Sequence, residues 1–344
     1  MKNTNFNNQT ILVSGGSGFI GSHFIRYILS KYPRIKIINL DSLNYSGSKL
    51  NLRDIEKNKK YKFVEGDISD FQNLREVINK HKPDYIVNFA AATHVDKSIH
   101  NGSLGFIQAN IVGVHNLLEA VKNSPWVKKY VQISTDEVYG AIDLGSKNKF
   151  KETTSFAPNN PYSATKAGGD LLCRSYWKTW GVPVIVTHSA NNFGPYQYPE
   201  KLIPFFILRM LENKKLPLYG DGKNMRDWIY VLDNCRGIEA CLLKGKPGET
   251  YNIGADNERS NLEIAKMILN YFGKDEAWIE FVADRPGHDR RYSLDWAKIK
   301  RELGWRPQYR FKDAFYKTID WYVKNQDWMK AIKKKEALNP HIKK

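Results

Sequence analysis

The chain has 344 residues, 42% of them hydrophobic and 13% aromatic, which is enough for a sizeable core and excludes a largely disordered protein. No stretch approaches the ~18 consecutive apolar residues of a membrane span, and the polar, Asn-rich start lacks the apolar core of a signal peptide. The three cysteines lack metal or C-x-x-C spacing and the eight histidines lack paired ligand spacing. We therefore expect a reduced, cytoplasmic protein without a membrane segment and without a metal.

The net charge of +17 is the feature that could suggest nucleic-acid binding. Yet the lysines are spread along the chain, their densest cluster lies in the polar segment 330–344, and no nucleic-acid motif accompanies them. We interpret the charge as solvating lysine that also helps to attract an anionic substrate, and expect no nucleic-acid partner. A non-enzymatic protein that binds nucleotides or RNA through this basic surface stays open as the alternative from another class.

The first predicted elements are a short strand at 10–13, a glycine-rich turn and a helical pattern from Ile20 to Ile28. Glycines in such a turn let the backbone approach a pyrophosphate at the helix N-terminus. The pattern can be read with Gly15 or with Gly16 as its first glycine. A second strand ends at Asp41, about twenty residues after the turn, where a carboxylate suits the ribose hydroxyls of NAD and repels the phosphate of NADP.

Strand-like and helix-like segments continue to alternate through the first half of the chain. This alternation predicts an α/β fold with a Rossmann-type, doubly wound parallel sheet and with ligands at the carboxyl ends of its strands. After about residue 190, loops rich in Pro, Gly and aromatic residues predict a smaller lobe. The further strands are expected at 61–65, 85–89, 131–134 and 182–186, with helices at 104–121, 162–180, 204–213 and 262–272.

We therefore divide the chain into an NAD-binding domain at 1–190, a mainly substrate-binding lobe at 191–330 and a basic, flexible tail at 331–344. The substrate lobe is expected to be interleaved with strands that return to the first sheet, so that it follows the first domain without being separate from it. The tail is assigned to flexible structure because it is polar and rich in lysine.

Two clusters of functional groups carry the chemistry. A carboxylate pair, Asp136 and Glu137, follows Thr135 at the end of a predicted strand, and Tyr162 precedes Lys166 by four residues on a predicted helix. An ammonium group close to a phenol favours the phenolate, so the tyrosine can act as a base. A tyrosine base, a carboxyl acid and a carboxylate base together exceed what hydride transfer needs. The set indicates oxidation coupled to a second acid-base step such as loss of water, unless both pairs are ordinary surface groups.

The glycine turn and Tyr162-x-x-x-Lys166 resemble the extended short-chain dehydrogenase/reductase superfamily. Within it, the segments 134–140, 191–197, 199–204, 219–222, 226–228 and 284–292 are similar to those of the dTDP-glucose 4,6-dehydratases. The resemblance runs from about residue 10 to residue 328. The Asp136-Glu137 pair is its specific part, because the sugar epimerases of this fold lack the pair.

The resemblance implies a mechanism for converting dTDP-glucose to dTDP-4-keto-6-deoxyglucose and water, in deoxysugar (rhamnose-type) biosynthesis. Tyr162, with its pKa lowered by Lys166 and by the positive nicotinamide ring, removes the proton of the sugar 4-hydroxyl, while Thr135 hydrogen-bonds the 4-oxygen. Glu137 then takes the C5 proton and Asp136 protonates the departing 6-hydroxyl. NAD+ stays tightly bound and is reduced and reoxidised within each turnover.

The resemblance also assigns binding residues. The NAD site is implied at Gly15, Gly18, Phe19, Ile20, Gly21, Asp41, Ser42, Leu43, Asn44, Asp67, Ile68, Phe89, Ala90, Ala91, Ala92, Thr93, Tyr162, Lys166 and Asn192. The nucleotide sugar is implied at Thr93, Thr135, Asn191, Lys201, Leu202, Pro217, Leu218, Tyr219, Arg226, Asn261, Asp284, Arg285, Pro286, Gly287 and His288. Arg226 suits a diphosphate unless it pairs with its neighbour Asp227. For His288, a structural role in the loop stays open beside the binding role.

Three departures from the family pattern concern the nucleotide and sugar more than the reaction. Ala92 stands where the family usually has Glu, Lys97 where it usually has Arg, and Leu43-Asn44 differs from the common form after Asp41. UDP-glucose therefore stays open as the substrate, and a nucleotide-sugar 4-epimerase stays open as the reaction. By analogy with relatives, the helices at 104–121 and 162–180 are expected to pair in a homodimer.

Overall fold

Seven parallel strands form the main sheet of the computed structural model, which describes residues 6, 8–44, 46–100 and 102–338, without the side chains of 335–338. Their spatial order is β3-β2-β1-β4-β5-β6-β10. These strands are β1 (Thr10–Ser14), β2 (Lys36–Asp41), β3 (Tyr61–Glu65), β4 (Tyr85–Asn88), β5 (Lys129–Thr135), β6 (Val184–Ser189) and β10 (Thr250–Ile253). The predicted parallel, doubly wound sheet is confirmed.

Helices cover both faces of this sheet. The α-helices of the described residues, including those that pack on the smaller sheets, are α1 (Phe19–Lys31), α2 (Phe71–His81), α3 (Val95–His100), α4 (Leu104–Ile107), α5 (Gly113–Lys122), α6 (Pro161–Trp180), α7 (Leu202–Leu211), α8 (Val231–Lys244), α9 (Asn261–Tyr271), α10 (Ala297–Leu303), α11 (Phe311–Lys324) and α12 (Gln326–Leu338). A π-helical segment, Gln108–Val112, joins α4 to α5, so the helix predicted at 104–121 is continuous but locally widened.

Alternation of side chains along the buried strands produces two cores. On β1, Ile11 and Val13 point into the core beneath α1, α8 and α10, whereas Leu12 points into the core beneath α2, α5 and α6. Strands that are buried on both faces read as continuous apolar runs, which is why these strands could be predicted.

The residues after β6 build two small sheets and a third core. One sheet contains β7 (Asn191–Phe193), β9 (Met225–Tyr230) and β11 (Glu258–Ser260); the other pairs β8 (Leu216–Tyr219) with β12 (Ile279–Val282). Helices α7, α9 and α11 pack around them through a separate apolar cluster. Strand β10 leaves this region and pairs with β6 of the main sheet.

The basic segment predicted as a flexible tail differs from the prediction in its described part. Residues 331–338 continue helix α12, and residues 339–344 lie outside the described residues. Met329 and Ile332 are buried, and Met329 joins the third core. Tertiary burial of two apolar side chains therefore outweighs the lysine-rich local composition.

None of the helices in the described part of the chain is long and apolar enough to cross a bilayer. Among the same residues, no group of three or more His, Cys, Asp or Glu side chains could hold a metal ion. The three cysteines are buried free thiols.

Candidate active site

The glycine-rich turn between β1 and α1 is shaped by close backbone packing. Gly15 has a φ of +71°, and a Cβ added there would lie 2.4 Å from the amide nitrogen of Ala90. A Cβ on Gly21 would lie 2.5 Å from the Gly15 carbonyl oxygen. Helix α1 begins after Gly18 without a side-chain cap and without an acidic residue in its first turn. Its first N–H groups therefore face the turn uncapped, which fits a bound diphosphate.

A first cavity opens beyond this turn, at the carboxyl ends of β2, β3 and β4. Asp41 lines it and accepts hydrogen bonds from the N–H groups of Ser17 (2.9 Å) and Leu43 (2.8 Å). Asp67 also lines it, and its carboxylate accepts bonds from the Ser69 backbone and hydroxyl at 2.8 Å. Two acidic groups flanking a cavity suit hydroxyl and amine donors rather than an additional phosphate.

The central cavity contains the end of β5. There Thr135 caps a short 3-10 turn, with its Oγ1 accepting from the Glu137 N–H at 3.3 Å. The turn ends at Gly140, whose φ is +86° and where an added Cβ would lie 2.4 Å from the Ala157 carbonyl oxygen. The turn holds Asp136 and Glu137 against the cavity at the carboxyl edge of the sheet.

Helix α6 brings Tyr162 and Lys166 to the same cavity. Its start is fixed by a capping box between Asn160 and Ser163, which places Tyr162 in the first turn. Lys166 Nζ donates to the Ile133 carbonyl oxygen at 2.7 Å, so the ammonium is anchored to β5.

The electrostatics of Tyr162 differ from the sequence prediction. Burial, followed by the Glu137 charge, raises the pKa of the Tyr162 phenol well above its ordinary value, and a hydrogen bond with Thr135 opposes the shift only in part. Lys166 is itself buried, and burial lowers its pKa. Desolvation thus outweighs the neighbouring ammonium in the protein alone, and the phenol is held in its neutral form.

The two adjacent carboxyl groups have different surroundings. Burial and the neighbouring Glu137 charge raise the pKa of Asp136 well above its ordinary value, and its Oδ2 is buried without a hydrogen-bond partner. Burial also raises the pKa of Glu137, but the cations of Arg226, Lys201 and Arg285 oppose that shift. Asp136, whose pKa is raised further, is therefore suited to donate a proton, and Glu137, which faces three cations, is suited to accept one.

A buried polar network lies behind Lys166. Asp170, one helical turn further along α6, accepts from the Ser134 hydroxyl at 2.6 Å and contacts His188 Nε2 at 3.1 Å. The other ring nitrogen of His188 contacts the Tyr139 hydroxyl at 2.6 Å. Asp170 raises the pKa of Lys166 against the effect of burial. The network therefore supplies a negative charge that helps Lys166 to stay protonated.

A third cavity continues from the central one, with Glu137, Asn191, Glu200 and Lys201 lining both. Its walls come from α7, β8, β9 and the loop at 283–292. Lys201 Nζ donates to the Thr93 carbonyl oxygen at 3.0 Å and so joins the two halves of the chain across the cleft. The three cavities form one path from the glycine turn, past Tyr162, to the smaller lobe.

Arg226 is a buried cation in the third cavity and does not pair with Asp227. Its guanidinium lies 4.3 Å from the centre of the Tyr292 ring and donates to the carbonyl oxygens of Met225 (2.7 Å) and Asp289 (2.9 Å). Asp227 instead accepts the N–H groups of residues 255 and 257, and burial raises its pKa to about 6. The side chain that could have neutralised Arg226 locally is occupied elsewhere.

His288 lines the third cavity and is held by a neighbour. Its Nδ1 contacts Asp284 Oδ1 at 2.6 Å, and its ring meets Tyr219 edge-on at 6.2 Å. Burial lowers the pKa of His288 to about 4, so the imidazole is neutral near pH 7. Both roles considered for this histidine are compatible with its position, since it is packed and also faces the cavity.

Most predicted site residues lie along the three cavities. All five predicted catalytic residues line the central cavity, and the predicted binding residues divide between the first, central and third cavities. Those that do not line these cavities are Leu43, Asp284, Pro286 and Gly287. The Leu43 N–H donates to Asp41, and the Asp284 carboxylate contacts His288, so each of the two is hydrogen-bonded to a residue that lines a cavity.

Comparison with known proteins identifies the family to which the chain belongs. Residues 12–318 match the family model described as GDP-mannose 4,6 dehydratase. The dTDP-glucose 4,6-dehydratase of Xanthomonas campestris pv. campestris (strain B100) is 46% identical over 341 residues, covering 94% of this chain and 95% of that protein. The chain belongs to the dTDP-glucose 4,6-dehydratase family.

Solved structures agree with the family and separate it from epimerases of the same fold. The 2.9 Å crystal structure of dTDP-glucose 4,6-dehydratase from Bacillus anthracis str. Ames in complex with NAD has a TM-score of 0.88 and 47% identity, covering 94% of this chain and 99% of that one. A UDP-glucuronic acid 4-epimerase from Bacillus cereus, solved with UDP-glucuronic acid and NAD, has a TM-score of 0.85 but 29% identity, with coverage of 92% and 99%. The epimerase shares the fold at a greater sequence distance.

Several cavity residues of this dehydratase-family chain were not predicted. The main ones are His94, Asp96, Tyr196, Tyr198, Glu200 and Tyr292. Tyr196, Glu200 and Tyr292 lie within the segments that resemble the dehydratase family, so only the direction of each side chain was missing there. His94, Asp96 and Tyr198 lie outside those segments. Glu200 meets His94 at 3.2 Å, and Asp96 meets Arg285 at 3.0 Å, so these groups connect the two sides of the cleft.

The departures from the dehydratase pattern lie around the first and third cavities. Ala92 lines the first cavity, and its backbone exchanges two 3.0 Å hydrogen bonds with the Asn110 side chain. Lys97 stands 3.8 Å from Glu200. Leu43 has a φ of +51°. The carboxylate pair, Tyr162 and Lys166 are not affected by these changes.

Proposed function

We propose that this protein is an NAD-dependent hydro-lyase that converts dTDP-glucose to dTDP-4-keto-6-deoxyglucose and water in deoxysugar biosynthesis. The observation that carries the proposal is the pair Asp136 and Glu137, held on one turn, with pKa values raised to different extents, in the cavity that also contains Tyr162. A 4-epimerase has no use for this acid and base. The relatives named dTDP-glucose 4,6-dehydratase support the nucleotide and the reaction.

Each catalytic side chain has a role that its surroundings suit. Tyr162 takes the proton of the sugar 4-hydroxyl, with Thr135 hydrogen-bonded beside it. Glu137 takes the C5 proton, because the nearby cations favour its ionised form. Asp136 gives a proton to the departing 6-hydroxyl, because burial keeps its carboxyl group protonated.

The residues present fit an NAD molecule placed along the first and central cavities. The uncapped start of α1 would hold the diphosphate, and Asp41 would meet the ribose hydroxyls. When bound, NAD+ supplies the hydride acceptor for C4 oxidation and the hydride for C6. The nucleotide of the sugar would lie in the third cavity, where Arg226 and Lys201 provide positive charge for its diphosphate.

The substrate proposal predicts a ranked set of rates. We expect kcat/KM for dTDP-glucose to exceed that for UDP-glucose roughly fivefold. The two bases differ by one methyl group, whose burial contributes about 1 kcal/mol to binding free energy. CDP-glucose should be poorer still, because its base presents an amine in place of a carbonyl. Formation of the 4-ketone, followed by its absorbance in base, measures all three.

The outcomes of this assay separate the open alternatives. A preference of about tenfold for UDP-glucose, 1.4 kcal/mol in the other direction, would overturn the dTDP assignment and leave the dehydratase reaction intact. A product of galactose configuration without a ketone would indicate an epimerase. No turnover with any nucleotide hexose, together with salt-sensitive RNA binding, would favour the non-enzymatic alternative.

We also propose a homodimer formed through α4, α5 and α6. These helices pack side by side, and their outer surface carries exposed apolar side chains. Leu104 is 74% exposed, Leu171 is 56% exposed and Ile107 is 38% exposed. Large apolar side chains exposed on adjacent helices are typical of a protein interface.

A cytoplasmic location is likewise a proposal, supported by the free thiols.

The dimer proposal predicts that Leu171→Arg is monomeric. An unpaired charge buried in an apolar interface costs about 3 kcal/mol or more, which weakens dimerisation over a hundredfold. Light scattering at micromolar concentration should give the mass of two chains for the wild type and of one for the variant. The control Leu144→Arg changes an exposed leucine on the loop between β5 and α6 and should stay dimeric. A single-chain mass for the wild type contradicts the proposal.

A further inference from the structure

Helix α12 contacts the glycine-rich turn through a short chain of hydrogen bonds. Trp328 Nε1 donates to Asn51 Oδ1 at 3.0 Å, and Asn51 Nδ2 donates to the Ser17 carbonyl oxygen at 2.9 Å. Asn51 is 1% exposed and Ser17 is fully buried, so neither group has water as an alternative partner. Ser17 stands inside the turn, between Gly16 and Gly18. We call Trp328, Asn51 and Ser17 the α12 brace.

The remaining polar groups of Ser17 are also fixed. The Ser17 N–H donates to Asp41, and its hydroxyl oxygen accepts from Asn39 Nδ2 at 3.0 Å. The carbonyl oxygen takes a second bond from the Ser48 N–H at 3.0 Å. Every polar atom of Ser17 is therefore hydrogen-bonded. The Asn51 amide is one of the four partners that fix the position of the turn.

The same helix supports a second wall of the central cavity. Tyr196 lines that cavity with a φ of +63°, and its ring lies between Trp321, at 4.4 Å, and the Arg26 guanidinium, at 4.4 Å. Trp328 meets the Tyr196 ring edge-on at 5.6 Å. Arg26 also donates to the Asn51 carbonyl oxygen. Helix α12 therefore contacts the Tyr196 loop directly and the glycine turn, on the other side of the cavity, through Asn51.

We propose that α12 is a cofactor-retaining element: Trp328, through Asn51, holds the Ser17 carbonyl and keeps the glycine turn in its binding conformation. The inference rests on the proposed NAD site. Helix α12 lies after residue 318, where the match to the family model ends. Ordering the turn before the cofactor arrives removes an entropic cost from binding. Because coupling is reciprocal, the bound cofactor must stabilise α12 by the same free energy.

Trp328→Phe removes the indole N–H and keeps an aromatic ring. Without that donor, Asn51 is no longer held in the orientation that bonds Ser17, and we expect the Kd for NAD+ to rise about fivefold, the effect of one hydrogen bond. The matched control is Trp305→Phe, which also removes a buried indole bond, from Trp305 Nε1 to the Asp233 carbonyl oxygen at 3.1 Å. It should bind NAD+ like the wild type.

The test uses full-length wild type and both variants. NAD is quantified after denaturing each purified protein, and Kd is measured by calorimetry after stripping. Selective loss in Trp328→Phe supports the brace; equal retention in all three proteins overturns it. If the wild type itself binds no NAD, the proposed function fails first and independently of the brace.

A second measurement needs no variant and decides the matter if Trp328→Phe does not fold. Helix α12 contains Lys330, Lys333 and Lys334, which trypsin cleaves when the helix opens. Cleavage at these sites in wild-type protein should slow when NAD+ is added. Unchanged cleavage at α12, with NAD+ bound at saturation, overturns the proposal.

Discussion

Glu137→Gln should lower kcat by roughly 10²- to 10⁴-fold, the range that a general base contributes, and abolish exchange of the C5 proton with solvent. Oxidation at C4 should persist, because Tyr162 and Thr135 are unchanged. Glutamine keeps the size of the side chain but cannot accept a proton at carbon. Incubating the variant with substrate in deuterated water and following C5 by NMR measures the exchange directly.

Asp136→Asn is the matched control for this prediction. It changes the adjacent carboxyl group, which is buried and held protonated, so it should slow the loss of water while C5 exchange continues. The two variants should therefore fail at different steps despite being neighbours on one turn. Exchange at the wild-type rate in Glu137→Gln, or loss of exchange in both variants alike, would contradict the assignment of base and acid.

The fold was predictable where local sequence and tertiary structure require the same pattern. Strands β1, β2, β4, β5 and β6 are largely buried, so each contains a short apolar run in the sequence, whereas the edge strand β3 is only half-buried or exposed. The carboxyl edge of a parallel sheet is where ligands bind, so residues that follow β5 could be assigned to the site. Asp136 and Glu137 follow β5 and line the central cavity at this edge.

The rest depended on contacts between distant segments. Sequence spacing could not decide whether Arg226 pairs with Asp227, because the answer depends on backbone N–H groups at 255 and 257. It also could not give the direction of Glu200 within a motif whose neighbour, Lys201, was assigned. The part of α12 from residue 331 onward was predicted as a flexible tail because lysines dominate its composition, while Met329 and Ile332 hold the helix through burial.

Predicting pKa shifts from proximity alone failed for Tyr162. Four-residue spacing to Lys166 suggested a lowered pKa, but burial is the larger effect in the protein alone and raises it. The Lys166 ammonium donates a hydrogen bond to the Ile133 carbonyl oxygen. A buried phenol of this kind needs additional positive charge before it loses its proton, and the proposed cofactor carries that charge in its oxidised form.

Tyr162→Phe should lower kcat by roughly 10²- to 10⁴-fold, since it removes the base for the first step. Its effect on pH dependence distinguishes a base from a structural side chain. A base works in its deprotonated form, so wild-type activity should rise with pH toward the pKa of Tyr162, which burial raises. The variant should lose this rise, because no other group at the site replaces the phenolate.

Tyr251→Phe is the control that makes this prediction specific. Tyr251 is also a buried tyrosine; its hydroxyl donates to Glu302 Oε2 at 3.3 Å, and it does not line the central cavity. Its loss should cost about 1 kcal/mol of stability and leave the pH profile in place. Rates of both variants and of the wild type, measured from about pH 6 to about pH 9, give the comparison. This range lies below the ordinary phenol pKa of about 10, so the activity of a tyrosine base rises throughout it. If Tyr162→Phe reduced bound NAD+ on substrate addition at the wild-type rate, the proton would have to leave the sugar 4-hydroxyl by another route, and the assignment of Tyr162 as the base would be wrong.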